Sequence, residues 1–197
     1  MDPSGFEMMM PGEGTLAGSK EGIDRVEAKK IIQASLNESW GYLTRALEGL
    51  THEEITWTPA SHSNSLAFIL WHVTKAEDFW VNCVIRRGRE IDATEGWREK
   101  LGTPDDGGTG YSEEQLQAWP TPKLEDLRAY SQAVHEKTMA FLDSITPEKL
   151  LEVPEPERPQ ETVGDILAHL ITEIALHVGQ IDYLRGVQRG LKQVNWR

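Results

Sequence analysis

Cysteine is almost missing from this chain, with Cys83 the single example in 197 residues. One thiol can form neither an intramolecular disulfide nor a cysteine zinc cluster, and such sparing use suits a reducing cytoplasm, the expected compartment. Apolar runs of about eighteen residues are absent too, so no membrane span is expected. Basic residues are outnumbered, 20 against 32 acidic ones, which leaves a formal charge of −12 and a pI near 4.9. Affinity for phosphate backbones rests on Lys and Arg, so neither nucleic acid nor an anionic membrane is an expected partner. The opening stretch, Met1 to Ser19, carries Asp2 and no basic n-region, and its apolar content is confined to Met8 to Met10. That pattern fits neither a secretory signal nor a transit peptide. GxGxxG, P-loop and GxSxG motifs are also lacking, as is strand-like alternation.

What the chain does have is helical periodicity. Ile32, Leu36, Trp40, Leu43, Leu47 and Leu50 recur at spacings of three and four, which predicts a first helix over Val26 to Leu50. After the polar stretch THEEITWTPASHSN, Asn64 or Ser65 can cap a second helix running to about Arg86. Its expected buried stripe is Leu66, Ile69, Leu70, Val73, Ala76, Trp80 and Val84. From Arg87 to Pro122 the composition shifts to Gly, Pro and charge, with short helix-like pieces around Trp97 and at SEEQLQAW. Connections this long are uncommon in compact domains and often cover a functional site. A third helix is expected over Lys123 to Ile145, with Pro122 at its first turn, and a fourth from a Thr162 cap to about Gly186. With no internal repeat of constant period, the reading is an all-α four-helix bundle with a long crossover loop between helices two and three. Residues 1–22 are expected to be a flexible tail and 23–197 the bundle domain.

Two polar residues fall where the fourth helix should be apolar. At about 100° per residue the stripe centres near Leu170 and Ile181, which puts His177 almost at the centre and Glu173 about 40° from it. Burying such groups unpaired costs roughly 2 to 7 kcal/mol for a neutral one and more for a charge. Residues four apart on a helix point the same way, so one divalent cation could take both. His72, at the edge of the second helix's stripe beside Ala76, Phe79 and Cys83, is the best-placed third ligand. Two histidines and a carboxylate leave a coordination position open, as catalytic sites do. The duller readings are a hydrogen-bonded edge histidine at His72 and a buried ion pair at Glu173.

Other candidates carry less. His169, one turn before Glu173, reads as a hydrogen-bonded structural histidine or as a residue that orients a ligand. His52 and His62 read as solvated, and His135 sits at the margin of helix three with no evident partner. Trp71, Trp80 and Trp97 read as packing, and Asp105 and Asp106 as turn chemistry in a glycine-rich loop.

Three segments, LTHEEITWTPASHSNSLAFILWHVTKAEDFW, GWREKLG and HLITEIALHVGQIDYLRGVQRGL, give the chain a resemblance to the DinB-like (YfiT-like) superfamily over most of its length. The resemblance implies an up-down-down-up bundle and a metal held by one His of helix two and two residues four apart on the last helix, followed by Gly and then Gln or His. His72, His177, Gly179 and Gln180 match; Glu173 stands where most members have His. That variant resembles the mycothiol-dependent maleylpyruvate isomerase branch, whose zinc is bound by His, Glu and His. The implied cofactors are one divalent ion, zinc or nickel, and a low-molecular-weight thiol such as mycothiol or bacillithiol. On this reading the protein is a metal-dependent thiol S-transferase acting on a small-molecule substrate, with Gln180 behind the ligands and the loop around Trp97 in the pocket wall. The alternatives are a metal-dependent hydrolase and a non-catalytic stress-related bundle. A homodimer is also implied.

Overall fold

The computed structural model describes residues 20–190. Nine α-helices occur among them: α1 (Lys20–Ala46), α2 (His52–Thr56), α3 (Leu66–Asp78), α4 (Ile91–Thr94), α5 (Trp97–Leu101), α6 (Glu113–Ala118), α7 (Leu124–Ser144), α8 (Pro147–Leu150) and α9 (Val163–Arg189). A π-helical segment, Phe79–Ile85, continues α3. No strand occurs among the described residues, and no helix there is long and apolar enough to cross a membrane. Because α1 already begins at Lys20, the rest of the expected tail, 1–19, lies outside the described residues.

Side-chain contacts fix the direction of each long helix. Arg185 of α9 donates to the Ala46 carbonyl at the end of α1, so these two run parallel. Lys29 near the start of α1 reaches the Asp143 carbonyl of α7, while Arg128 of α7 reaches Thr44, so α1 and α7 are antiparallel. His72 meets His177 whereas Trp80, further along, meets His169, so the α3 arm and α9 are antiparallel. The bundle is therefore up-down-down-up. Two successive helices that run the same way need a long return between them, which is the physical reason for the crossing from 86 to 123.

Helix ends follow from local chemistry. Ser65 accepts from the Phe68 amide, and Thr162 with Asp165 forms a capping box at the start of α9. Pro122 lies outside α7, which Lys123 caps, so its missing N–H costs nothing. α1 stops four residues before the expected Leu50, since Gly49 takes a left-handed conformation (φ 67). Leu47 and Leu50 still enter the core through the tightened turns that follow.

The larger departure is in the second long helix. Leu66, Ile69, Leu70, Val73 and Val84 are buried as expected, Ala76 and Trp80 only partly so, and Val81 and Ile85 are buried as well. From Phe79 on, the wider turn of the π-helical segment broadens the stripe and brings Val81 and Ile85 into it. Phe79, 44% exposed, and Trp80 are thereby turned out of the core and toward a cleft.

Candidate metal centre

α3 and α9 bring His72, Glu173 and His177 together, with one ligand atom from each within 4.8 Å of the others. Glu173 Oε1 lies 3.1 Å from His177 Nε2 and 3.7 Å from His72 Nε2, and the two imidazole rings meet edge to face at 5.0 Å. None of the three is fully buried; their side chains keep 18%, 26% and 14% of their exposure. The helical wheel put His177 in the interior, and angularly it does share the buried arc of α9. Its neighbours there are Glu173, Gln180 and the His72 ring, and the group is only half-buried.

Hydrogen bonds behind the rings decide which nitrogens point inward. His72 Nδ1 is 2.5 Å from the Gly107 carbonyl, which can only accept, so Nδ1 carries the proton and Nε2 presents a lone pair. His177 Nδ1 lies 2.9 Å from Gln180 Oε1 and its Nε2 3.1 Å from Glu173 Oε1; with the proton on Nδ1, donated to Gln180, Nε2 faces Glu173 as an acceptor. Three acceptors facing one point repel unless a cation lies among them. A proton would satisfy one pair of them, whereas a divalent ion could satisfy all three. A partner behind each imidazole, holding ring and tautomer, is also what metal-ligating histidines ordinarily have.

The crossing loop supplies the Gly107 carbonyl, and its glycines are what allow it to come so close. Gly107 and Gly108 have φ of 73° and 77°, and a Cβ at Gly108 would lie 2.7 Å from both the Phe68 and Trp71 rings. Asp106 accepts from the Gly108 amide and from the Tyr111 hydroxyl, the turn chemistry expected of it. Burial and the Asp106 carboxylate together push that phenol up to about 12. Asp105 goes further than a turn, forming an ion pair with Arg98.

Beside His72 opens a cleft of about 490 Å³, walled by Ala76, Phe79 and Trp80 on one side and by Asp105, Asp106 and Thr109 on the other. Its size suits a small molecule. Trp97 does not line it; that ring packs near Tyr130 with Lys100 above it, so the expected wall role passes to the loop around Gly107. Trp71 is packing, as expected, while Trp80 is cleft wall. His169 is exposed and meets Trp80 edge-on. His52 and His62 are exposed. His135 differs from its expected marginal place: it is buried, stacked on Trp40 at 4.6 Å, with Nε2 3.2 Å from Asn37 Oδ1 and Nδ1 3.6 Å from Glu77 Oε1.

A second polar group under the cleft escaped the sequence reading. Lys75, nearly fully buried, donates to Glu90 and Asp92 at 2.7 Å each, and Arg98 binds Asp92 from the other side at 3.0 Å. Burial alone would pull the Lys75 ammonium down, yet Asp92 and Glu90 hold it above its ordinary value. Burial likewise opposes ionised Asp92, but Arg98 and Lys75 keep its carboxyl below the usual range; for Glu90 burial prevails and raises it. Asp78, fully buried, takes the Tyr130 hydroxyl, Asn82 and the first two amides of α4, which anchors the crossing loop to the bundle. Glu90, Asp92 and Asp105 also lie close enough together to share an ion, but each is already paired with Lys75 or Arg98. The signal that could have revealed this group is the run Lys75, Glu77, Asp78 inside a helix that is otherwise apolar on nearly every side.

The family model described as the DinB superfamily matches residues 35–181, about three quarters of the sequence. The chain belongs to the DinB superfamily. Among solved structures it is similar to a conserved protein from Enterococcus faecalis, with 22% identity and a TM-score of 0.72, over 80% of this chain and 95% of that one. At that identity the likeness speaks for the fold. A comparison with curated proteins returns no match.

Proposed function

We propose that this DinB-superfamily protein holds one divalent metal ion, zinc or nickel, through His72, Glu173 and His177, and works as a low-molecular-weight thiol S-transferase. The observation that carries the metal is the convergence of two imidazole nitrogens and a carboxylate oxygen beside an open cleft. The His, Glu, His combination resembles the mycothiol-dependent maleylpyruvate isomerase branch, which favours a thiol such as mycothiol or bacillithiol as cosubstrate in a reducing cytoplasm. Bound there, the ion would act as a Lewis acid that eases loss of the thiol proton, and the thiolate is the attacking species.

The chain's own residues do the rest. Gly107 and Gln180 hold the two rings in register, and Glu173 supplies negative charge against the cation. Phe79 and Trp80 offer an apolar wall against which an electrophile can rest with little water. Glu90 is engaged by Lys75, and Asp105 by Arg98, so neither is free to act as a general base. That favours a thiol, acidic enough to need none, over hydrolysis.

Elemental analysis of untagged protein is expected to give about one metal per chain, lost in His72→Ala and His177→Ala. With a thiol and a chlorodinitrobenzene-like electrophile, a carbon–sulfur bond should form as chloride leaves, and His177→Ala should abolish turnover. Metal-dependent hydrolysis persisting without any thiol would select the hydrolase instead. No metal at all would remove both.

A further inference from the structure

Glu90, Asp92 and Asp105 each have a cation inside the chain, and Asp106 does not. Lys75 holds Glu90 and Asp92, and Arg98 holds Asp105. Asp106 borders the same cleft but forms no ion pair among the described residues. The Gly108 amide and the Tyr111 hydroxyl both donate to its Oδ1, which fixes the carboxylate on the loop, while Oδ2 has no partner among the described residues. Across the cleft stand Phe79, left 44% exposed, and Trp80, the two rings meeting edge to face at 5.4 Å. Trp80 already takes one cation on its ring: the Arg158 guanidinium lies 5.5 Å from the centroid and belongs to the wall of a neighbouring cavity.

We propose that the cleft selects a small molecule bearing an ammonium group, with Asp106 as the residue that sets this specificity and Phe79 and Trp80 as the wall against which the cation rests. Charge decides between candidate ligands. An anion would meet Asp106 with neither Lys75 nor Arg98 free to offset it, since both are already taken. A neutral molecule would forgo both the charge-assisted bond to Oδ2 and the attraction of a cation to an aromatic face. An ammonium gains both, and the Thr109 hydroxyl on the same wall offers it a second acceptor. The chain's charge of −12 draws cations toward the cleft mouth as well.

Gly107, next to Asp106, bonds the His72 ring, so the recognised group rests close to the candidate metal centre. Selection of this kind names a property of the transferase substrate and so rests on that reading, but the binding itself needs neither metal nor turnover.

Binding of benzylamine, benzyl alcohol and benzoate near neutral pH tests this on the full, untagged chain, as purified and again with a chelator, followed at the Gly107 and Thr109 amide signals in NMR spectra. In the chelated sample at low salt, benzylamine, present as its ammonium ion, should bind about tenfold more tightly than benzyl alcohol, and benzoate more weakly than either. Asp106→Asn keeps the Oδ1 acceptor and hence the loop, and should bring benzylamine to within about twofold of benzyl alcohol. Trp80→Leu should weaken all three probes. Glu99→Gln, which removes a carboxylate from an exposed position on α5, should change nothing. No preference for benzylamine in the wild type, or a preference that survives Asp106→Asn, overturns the proposal. With cysteamine, mercaptoethanol and mercaptopropionate as thiols, the ratio of Asp106→Asn to wild-type kcat/KM then shows which reactant carries the ammonium. A loss of about tenfold confined to cysteamine assigns it to the thiol, and no loss with any of them assigns it to the electrophile. An equal loss with all three would make Asp106 a general base and overturns the specificity. Absence of turnover with every thiol would count against the transferase while the binding result stood.

Discussion

Two polar groups lie one helical turn apart on α3, and they have settled the same electrostatic problem in opposite ways. Around Lys75, carboxylates and cations alternate, so that Glu90, Asp92 and Asp105 each find a positive partner inside the chain. Around His72, the outer ring nitrogens face Gly107 and Gln180, and the groups turned inward, two imidazole Nε2 atoms and a carboxylate, have no Lys or Arg among them in the described residues. Both border the cleft, which Lys75, Glu90 and Asp105 line together with His72, so exposure does not distinguish them. Composition alone does not separate them, since both draw on polar residues of the same helix. What separates them is whether the chain supplies the cation. A group that lacks its own is built to take one from outside, whereas a group that has it serves to lock α4 and the crossing loop onto the bundle.

Removing a cation from the Lys75 group should hurt most. Lys75→Met leaves Glu90 and Asp92 without their shared ammonium, and breaking a buried pair from one side costs about 3 to 5 kcal/mol. Urea denaturation should show that loss whether or not metal is present. A cost below about 1 kcal/mol would mean that water reaches the network, and the contrast with the His72 site would dissolve.

Removing the cation from the His72 group should cost less and should depend on concentration. At free metal a hundredfold above its dissociation constant, linkage contributes about 2.7 kcal/mol, so a chelator should lower Tm by roughly 5 to 10 °C. Glu173→Leu/His177→Leu should abolish this response without destabilising the metal-free protein, because both members on α9 go together and His72 keeps its bond to Gly107. A double variant much less stable than the metal-free wild type would assign the trio to the self-neutralised kind.

Gly108→Ala strikes the joint between the two regions. The new Cβ would press on the Phe68 and Trp71 rings at a positive φ, a strain of roughly 1 to 3 kcal/mol. Relief would draw the Gly107 carbonyl from His72, so chelator competition should show metal held ~10-fold more weakly or worse. Strain without any change in metal affinity would mean that His72 keeps its orientation by other means.

How much of this could be read from the residues varies with the range of the interaction. The four long helices and the Ser65 and Thr162 caps were legible, since they depend on spacing and on atoms a few residues away, although the first helix runs Lys20–Ala46 rather than Val26 to Leu50. The trio was legible because Glu173 and His177 interrupt an apolar stripe and His72 edges another. The broadened stripe of the second long helix was not, because a π-helical turn leaves no mark in a pattern read at 3.6 residues per turn. His135 was misplaced for a related reason: its partners Trp40, Asn37 and Glu77 come from α1 and α3, and no local pattern announces them. The role of Gly107 was hidden as well, since it acts through a carbonyl that every residue has.

A third ion pair, between α2 and α9, sharpens the comparison. Glu54 accepts from Arg189 through both carboxylate oxygens and from the Thr51 amide. The Arg189 hydrogen bonds first, and then the Thr51 amide, hold its carboxyl at about 2, below an ordinary 4.5. A carboxyl depressed on folding stabilises the folded state fully above its unfolded value and loses that contribution as pH falls through the folded one. The relevant window therefore runs from about pH 4.5 down to about 2. Solvent screens this pair, so its contribution is small despite the two-pronged contact. Arg189→Ala should lower stability slightly at pH 7, and the gap between variant and wild type should narrow steadily as both are titrated through the window. A gap as wide at pH 2.5 as at pH 7 would show that Arg189 acts instead through its bond to the Gly49 carbonyl, which does not titrate.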